Sequence, residues 1–448
     1  MGTKYRRSKM KDKIKRTASI YTLGCKVNQY ESEAIAEGLE ASGITVLPPS
    51  SVCDAYVINT CTVTAESDRK ARQFIRRAIS KSPSAFIIVT GCLAQSAPEE
   101  IASISGVDCI IGNTSKMTVV EKLLALFEAG EKNSLPEICV GEISSAPFEK
   151  MSITKFNRTR AYVKIEDGCE NKCSYCIIPS ARGHVRSKSP SDVISEVEQL
   201  TRNGCREVVL TGIETASYGK DLGGVSLADI LCRIDTIEGI GRVRLGSLDP
   251  SLIKEPFVQR IASLSSLAPH FHLSLQSGSD RILALMKRKY NSEMAIDAIE
   301  LLRKYIPNVK FTTDVIVGFP GESDEDFRQT AEFVRTAGFL TVHVFPYSKR
   351  SGTTAASMTA QIPKDIKTAR LHKLESIAAA TRSDILEGEV KKRPLRRVLF
   401  ESFDGEYVYG HTDDFLEIKA KSSVSLNAQL RDVRLERADN GVCIATII

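Results

Sequence analysis

Nowhere in its 448 residues does the chain run through about 18 apolar positions in succession, so no membrane-spanning helix is expected. The start, "MGTKYRRSKMKDKIKR", lacks the apolar core of a secretory signal. Low-complexity tracts are absent too, and 42% hydrophobic with 26% charged residues is the composition of a soluble globular protein. The length exceeds one ordinary core and suggests two or three domains. Without a secretory signal, the twelve cysteines point to metal binding or catalysis in a reducing compartment, the cytoplasm, rather than to a disulfide scaffold.

Charge is unevenly placed. In the first sixteen residues eight basic side chains face one acidic one, a net +7, which leaves about −1 for the rest of a +6 chain. Such an arm contacts nucleic acid or a membrane surface, or is simply solvated. A second basic stretch, "KKRPLRR" (391–397), also reads as a charged linker.

Three segments near the N-terminus share one design. "SIYTLGC" ends at Cys25, "AYVINTC" at Cys61 and "AFIIVTGC" at Cys92. Each is a short apolar run of buried-strand character that breaks into a turn, with helical sequence after it. Strands alternating with helices imply a parallel sheet, whose carboxyl ends share one edge where ligands bind. The three cysteines are therefore expected to converge. Six further strand–helix units follow, with strands at 161–167, 206–212, 241–248, 270–276, 310–319 and 340–348, suggesting a partial or full (β/α) barrel. Helix signals separate them: Ser189 or Ser191 caps one, and "SDEDFRQTAEFVRTAG" carries a cap, an acidic first turn and a terminal Gly338. From about 394, short alternating strands with "DG" and "DN" turns suggest a small antiparallel barrel. The expected class is α/β. A basic arm (1–17) precedes an N-terminal α/β domain (18–130), a linker (131–155), the central barrel (156–390) and the small closing barrel (391–448).

The chemistry centres on "GCENKCSYC" (168–176), directly after the first barrel strand. Cys169, Cys173 and Cys176 form C-x3-C-x2-C, one ligand short of a closed site. Three thiolates hold three irons of a [4Fe–4S] cube and leave the fourth open to chelate a small ligand. The competing reading is zinc with a remote fourth ligand. His184 lies eight residues on, but a second C-x2-4-C pair is missing.

This motif, at the top of a first barrel strand, resembles the signature of the radical S-adenosylmethionine (SAM) enzymes. There the open iron binds SAM, and electron transfer yields a 5′-deoxyadenosyl radical that abstracts hydrogen. The resemblance implies that Tyr175, before the last cysteine, packs near the adenine. "TLGCKVNQYESE", "VINTCTVT" and "VTGCLAQ", with "RGHVRSKSP", "HLSLQSGS" and "TTDVIVGFPGES", narrow it to the methylthiotransferases over about 18–440. That family implies a second [4Fe–4S] cluster on Cys25, Cys61 and Cys92, two uses of SAM (methyl source and radical source), and sulfur insertion into an unactivated C–H bond. It also implies a closing barrel of the TRAM type that helps hold RNA, and external donors of sulfur and electrons. "LGCKVNQYE", "HVFPYSKRSGT" and "GHTDDF" look most like the branch acting on N6-threonylcarbamoyladenosine at position 37 of tRNA. Other branches act on isopentenyladenosine in tRNA or on a ribosomal-protein aspartate. A non-catalytic iron–sulfur protein that binds RNA is the alternative from another class.

Further cofactor contacts are expected at strand ends: Gly212 after the second barrel strand, Gln276 and Ser277 after the fourth, and Asp314 and Gly318 in "DVIVGFPGE". The last stretch departs from the superfamily pattern G-x-I-x-G-x-x-E, with Asp314 for the first glycine, Gly321 for the acid and Glu322 one place late. Strand-end packing is the plain alternative for all five. Arg182 and Arg186 are candidates for substrate phosphates or carboxylates, or for ion pairs. The tail from 394 carries seven basic against nine acidic residues and is no basic patch. The six ungrouped cysteines, 53, 109, 139, 205, 232 and 443, read as small buried hydrophobes.

Overall fold

The computed structural model describes residues 16–448 except 157, so nearly all of the basic arm lies outside the described residues. The N-terminal sheet has six parallel strands, β1 (Thr17–Thr22), β2 (Thr45–Leu47), β3 (Ala55–Thr60), β4 (Phe86–Gly91), β5 (Cys109–Ile111) and β6 (Glu137–Cys139), in the order β2-β1-β3-β4-β5-β6. β3 and β4 are buried on both faces, which is why their sequences are apolar without alternation. Tyr56, Ile58, Ile87 and Val89 pack on one side and Val57 and Ile88 on the other. The order reverses between β1 and β3, the crevice where such sheets bind ligands. β6 falls inside the span read as a linker, and Met151 and Ile153 of that span enter the central core.

The first helix, α1 (Lys26–Ala41), starts directly after Cys25 and buries Tyr30 and Ala34 in the core of the second domain. The Tyr30 hydroxyl donates to the Met151 carbonyl at 2.8 Å, so the two α/β units share one interior.

The second unit is built on β7 (Ala161–Lys164), a short antiparallel pair β8 (Glu166–Asp167) and β9 (Arg186–Ser187), then β10 (Glu207–Thr211), β11 (Arg242–Leu245), β12 (Ser247–Leu248), β13 (His270–Gln276), β14 (Lys310–Val317) and β15 (Thr341–Pro346). β7, β10 and β11 pair in parallel, β12 continues β11 past Gly246, and β12 to β15 also pair in parallel. Among the described residues no pairing joins β15 back to β7, so the barrel is partial. β13 shows how sequence sets its two faces: Phe271, Leu273 and Leu275 are buried in the core, while His270 and His272 line the interior cavity. Ser189 is the cap of the helix Pro190–Arg202, and Ser323 and Asp326 form a capping box for Asp324–Ala337, which ends at Gly338.

The tail closes into a five-stranded barrel of β16 (Leu395–Phe403), β17 (Tyr407–Thr412), β18 (Glu417–Lys421), β19 (Leu430–Asp439) and β20 (Val442–Ile447), ordered β16-β17-β18-β20-β19. It is not wholly antiparallel as expected, because β18 and β20 run parallel. Parity requires this: directions cannot alternate around a closed ring of five. The helix Lys364–Lys392 ties the units together, packing Leu374 against Val315 and Val317 and Leu386 into the tail core. Phe415 of the tail, at φ 74, stacks between His270 (4.4 Å) and His411 (4.6 Å) at the floor of the central cavity.

Candidate metal centres and the interior cavity

The loop 168–176 is shaped by one glycine. Gly168 has φ +86, and a Cβ there would stand 1.8 Å from the His184 carbonyl oxygen. The Cys169 N–H donates to Gly183 O at 2.9 Å, the Asn171 N–H points at Cys169 Sγ (3.4 Å), and Ser174 is pinned to Met286 and Leu285 carbonyls. Arg288 donates to Cys173 Sγ at 3.2 Å while its other nitrogen holds Asp249 at 2.8 Å. Burial pushes the Cys169 thiol up to about 12 and the Cys176 thiol to about 11. Thiols so placed ionise when a cation takes the proton's place, and the N–H groups aimed at sulfur suit thiolate ligands.

The N-terminal trio converges as the topology requires. Cys25 is the residue before α1, Cys61 follows β3, and Cys92 opens a short helix after β4. Gly91, at φ +99, permits the β3–β4 approach: a Cβ would lie 2.3 Å from Thr60 O. A Cβ on Gly24 would likewise meet Cys61 Sγ at 2.9 Å. Cys61 and Cys92 are buried, and Cys25 is open to solvent. Burial, with Cys92 beside it, raises the Cys61 thiol to about 11. Among the described residues two groups of three ligand atoms lie within 4.8 Å of one another, Cys109–Glu137–Cys139 and His272–Asp314–His343, and neither cysteine trio is among them. A single zinc ion about 2.3 Å from each sulfur holds the sulfurs roughly 3.8 Å apart. Neither trio holds its three sulfurs at that spacing here.

Arg182 and Arg186 are not placed to meet an incoming substrate. Arg182 is completely buried, and its Nε donates to Cys92 Sγ at 3.3 Å. Its remaining nitrogens bind Glu31 (2.6 Å), Asn28 (2.6 Å) and Asp167 (3.1 Å). Arg186 is buried too, donating to the Arg182 carbonyl at 2.7 Å and lying 3.6 Å from Asp167. Lys116 and Lys164 also pair with Glu31, so four cations surround two carboxylates. Burial alone would raise the Asp167 carboxyl; Arg182, Lys164 and Arg186 outweigh it and hold it at about 2. A buried positive excess beside Cys92 is the environment an anionic thiolate cluster needs.

The expected cofactor contacts divide. Tyr175 packs edge-on to Phe319 with ring centres 6.4 Å apart. Gln276 ends β13 at φ 68, in the left-handed region that few non-glycine residues adopt. Ser277 is fully buried and bonds the Thr330 hydroxyl at 3.2 Å, a packing role. Gly212 leaves room for Glu166, whose Oε2 would be 2.6 Å from a Cβ. Gly318 sits at φ +68 against Lys367, and its N–H is held by Glu322 at 2.7 Å, so the displaced acid braces this turn with Arg370. Asp314 lies deeper in the barrel, 3.3 Å from His272 Nε2.

A cavity of about 1010 Å³ occupies the barrel interior, bounded by Lys26 beside Cys25, by barrel residues such as His272 and His343, and by Phe415 below. Sequence reasoning missed Lys26, Arg288 and the histidines. His270 and His272 two apart on a strand were the available signal, since that spacing puts both on one face. Arg288 sits in "MKRKY", which looks like a solvated basic run. Glu166 was also missed: burial raises its carboxyl well above the ordinary range, and its Oε1 has no hydrogen-bond partner.

Comparison with known proteins gives the same outline. Residues 163–334 match the radical SAM superfamily, and residues 17–112 match a family described as uncharacterized protein family UPF0004. The chain is 38% identical to threonylcarbamoyladenosine tRNA methylthiotransferase MtaB of Bacillus subtilis over 94% of each chain. It is 39% identical to the protein of that name from Thermotoga maritima, over 81% of this chain and 82% of that one. The tRNA-2-methylthio-N(6)-dimethylallyladenosine synthase of Carboxydothermus hydrogenoformans is 36% identical over 79% of this chain and 81% of its own. Among solved structures, the radical SAM methyltransferase TsrM of Kitasatospora setae shares the fold, with TM-score 0.55 and 15% identity over 77% of both chains.

Proposed function

The chain belongs to the radical SAM methylthiotransferase family, and from that premise we propose that it adds a methylthio group to N6-threonylcarbamoyladenosine at position 37 of cytoplasmic tRNA. The observation that supports the reading is the likeness to relatives of that name at 34–39% identity over 81–97% of the chain, beside dimethylallyladenosine synthases at 34–38%. The target explains the chemistry: an aromatic C–H between ring nitrogens offers no acidic proton for a general base to remove.

Cys169, Cys173 and Cys176 would hold the SAM-binding [4Fe–4S] cluster, and Cys25, Cys61 and Cys92 an auxiliary one. When bound, these groups supply reductive cleavage of SAM, hydrogen abstraction and delivery of sulfur and methyl. The chain's own residues orient and insulate. Arg288 draws charge from the Cys173 sulfur and is fixed by Asp249. Tyr175 offers a face for the adenine, and Gln276, in its strained conformation, presents its amide at the strand end. Arg182 fixes Cys92, and through Asp167 it links that cysteine to the first cluster loop. The closed tail barrel floors the cavity.

Nucleoside mass spectrometry of tRNA from a strain lacking this protein tests the reading. Threonylcarbamoyladenosine should accumulate without its methylthio group. Loss of the methylthio group from isopentenyladenosine alone would move the protein to the other branch.

A further inference from the structure

The interior cavity gathers four of the chain's six histidines, and nearly every arginine lining it is already committed. Arg160 pairs with Glu207 and Glu401, Arg244 with Glu207, and Arg382 with Glu417. Arg158 lies 4.0 Å from Glu33. His272 is held on both sides, by the Thr312 hydroxyl at 2.9 Å and by Asp314 at 3.3 Å. Of the basic side chains lining it, two have no hydrogen-bond or ion-pair partner among the described residues: the Lys26 ammonium and the His343 ring. Lys26 is exposed and lines the cavity. An ammonium left unpaired inside a protein wall calls for an anion.

On β15, Phe345 follows His343 by two residues and shares its face. The register confirms it, with His343 opposite Asp314 and Phe345 opposite Ile316. Phe345 is 46% exposed, a large apolar ring left open. A flipped base stacks on such a ring.

We propose that Lys26 and His343 seat the carboxylate of the substrate's threonylcarbamoyl side chain, with Phe345 stacking on the base that carries it. This deepens the substrate reading above and rests on it. The ammonium and the imidazole N–H donate to the carboxylate oxygens. Thr312 and Asp314 engage both nitrogens of His272, and His343, with one ring nitrogen within 4.8 Å of the same carboxylate, is the imidazole with a donor to spare. The wall then distinguishes an acidic side chain from an apolar one on the same adenine: an isopentenyl group would leave a desolvated ammonium unpaired. A backbone phosphate of the tRNA has the same anionic chemistry and is the other possible occupant.

The test uses reconstituted holoenzyme and two anticodon stem–loops, one bearing threonylcarbamoyladenosine and one with its carboxylate as the methyl ester. Wild type should favour the acid by about tenfold or more in kcat/KM, the worth of one charge-assisted hydrogen bond. Lys26→Met should lose that preference through KM for the acid, with the ester unchanged. His343→Ala should lose part of it. Iron content and SAM cleavage without RNA check that the change beside Cys25 leaves the clusters intact. If they fail in Lys26→Met, His343→Ala alone decides, and an undiminished acid preference there overturns the proposal. Equal loss on both substrates means a phosphate contact and overturns it too. So does stoichiometric non-iron metal in wild type that His343→Ala removes, since His272, Asp314 and His343 would then be a metal site. If wild type modifies neither stem–loop, the substrate reading itself fails.

Discussion

The guanidinium of Arg182 divides its N–H groups among Glu31, Asp167, Asn28 and the Cys92 sulfur, all buried. Sequence alone marked this residue as a polar candidate but could not show its partners, because Glu31 lies 151 positions away. The same holds for Lys26 and Arg288, whose surroundings come from remote elements. The cysteines were legible because strand–turn–helix grammar fixes where they land. Glu207 shows a residue-scale effect of a similar kind. Burial would raise its carboxyl, but Arg244, Arg160 and Arg242 hold it at about 2. A folded value below the ordinary range of about 4.3 means that the charge stabilises the fold above that range, and that this stability is lost as pH falls toward 2. Glu207→Gln should therefore flatten the decline in unfolding free energy between pH 5 and pH 3, measured by urea titration. An unchanged decline would contradict the ion-pair assignment.

At the scale of elements, every expected barrel strand is present, because unbroken or alternating apolar runs bounded by turns leave little choice. But 161–167 stops at Lys164, with Glu166–Asp167 pairing antiparallel elsewhere, and 241–248 is split at Gly246. Two features escaped. The strand Glu137–Cys139 is only three residues long, with its first two residues exposed, too short to show a pattern. The parallel β18–β20 pair follows from ring parity, a property of the closed barrel and not of any segment. The β3–β4 contact gives a sharper test. Gly91→Ala would push a Cβ against Thr60, forcing the ends of β3 and β4 apart and displacing Cys61 and Cys92. Iron content should fall from about eight to about four per chain while SAM cleavage persists. Full iron loading with normal product would show that the contact does not position the trio.

Across the whole molecule, three units meet around one interior. Tyr30 carries the N-terminal domain into the barrel core, Leu386 carries the long helix into the tail core, and Phe415 closes the cavity floor. Among the described residues no helix is long and apolar enough to cross a membrane. The helix that follows the barrel cysteines, Ile178–Arg182, docks on the N-terminal trio through Arg182 and through the Ala181 carbonyl, which accepts from Asn113 at 2.7 Å. On the proposed reading, two clusters joined by such a strut would act on one base without moving it between sites. The most direct measurement is a single anaerobic reaction: reconstituted protein, SAM, reductant, a sulfide source and tRNA bearing threonylcarbamoyladenosine, digested and weighed. The expected result is the 2-methylthio derivative together with 5′-deoxyadenosine, both abolished by Cys173→Ala and only the nucleoside product abolished by Cys61→Ala. Methylthio product that survives Cys173→Ala, or 5′-deoxyadenosine with no change in this nucleoside, would contradict it.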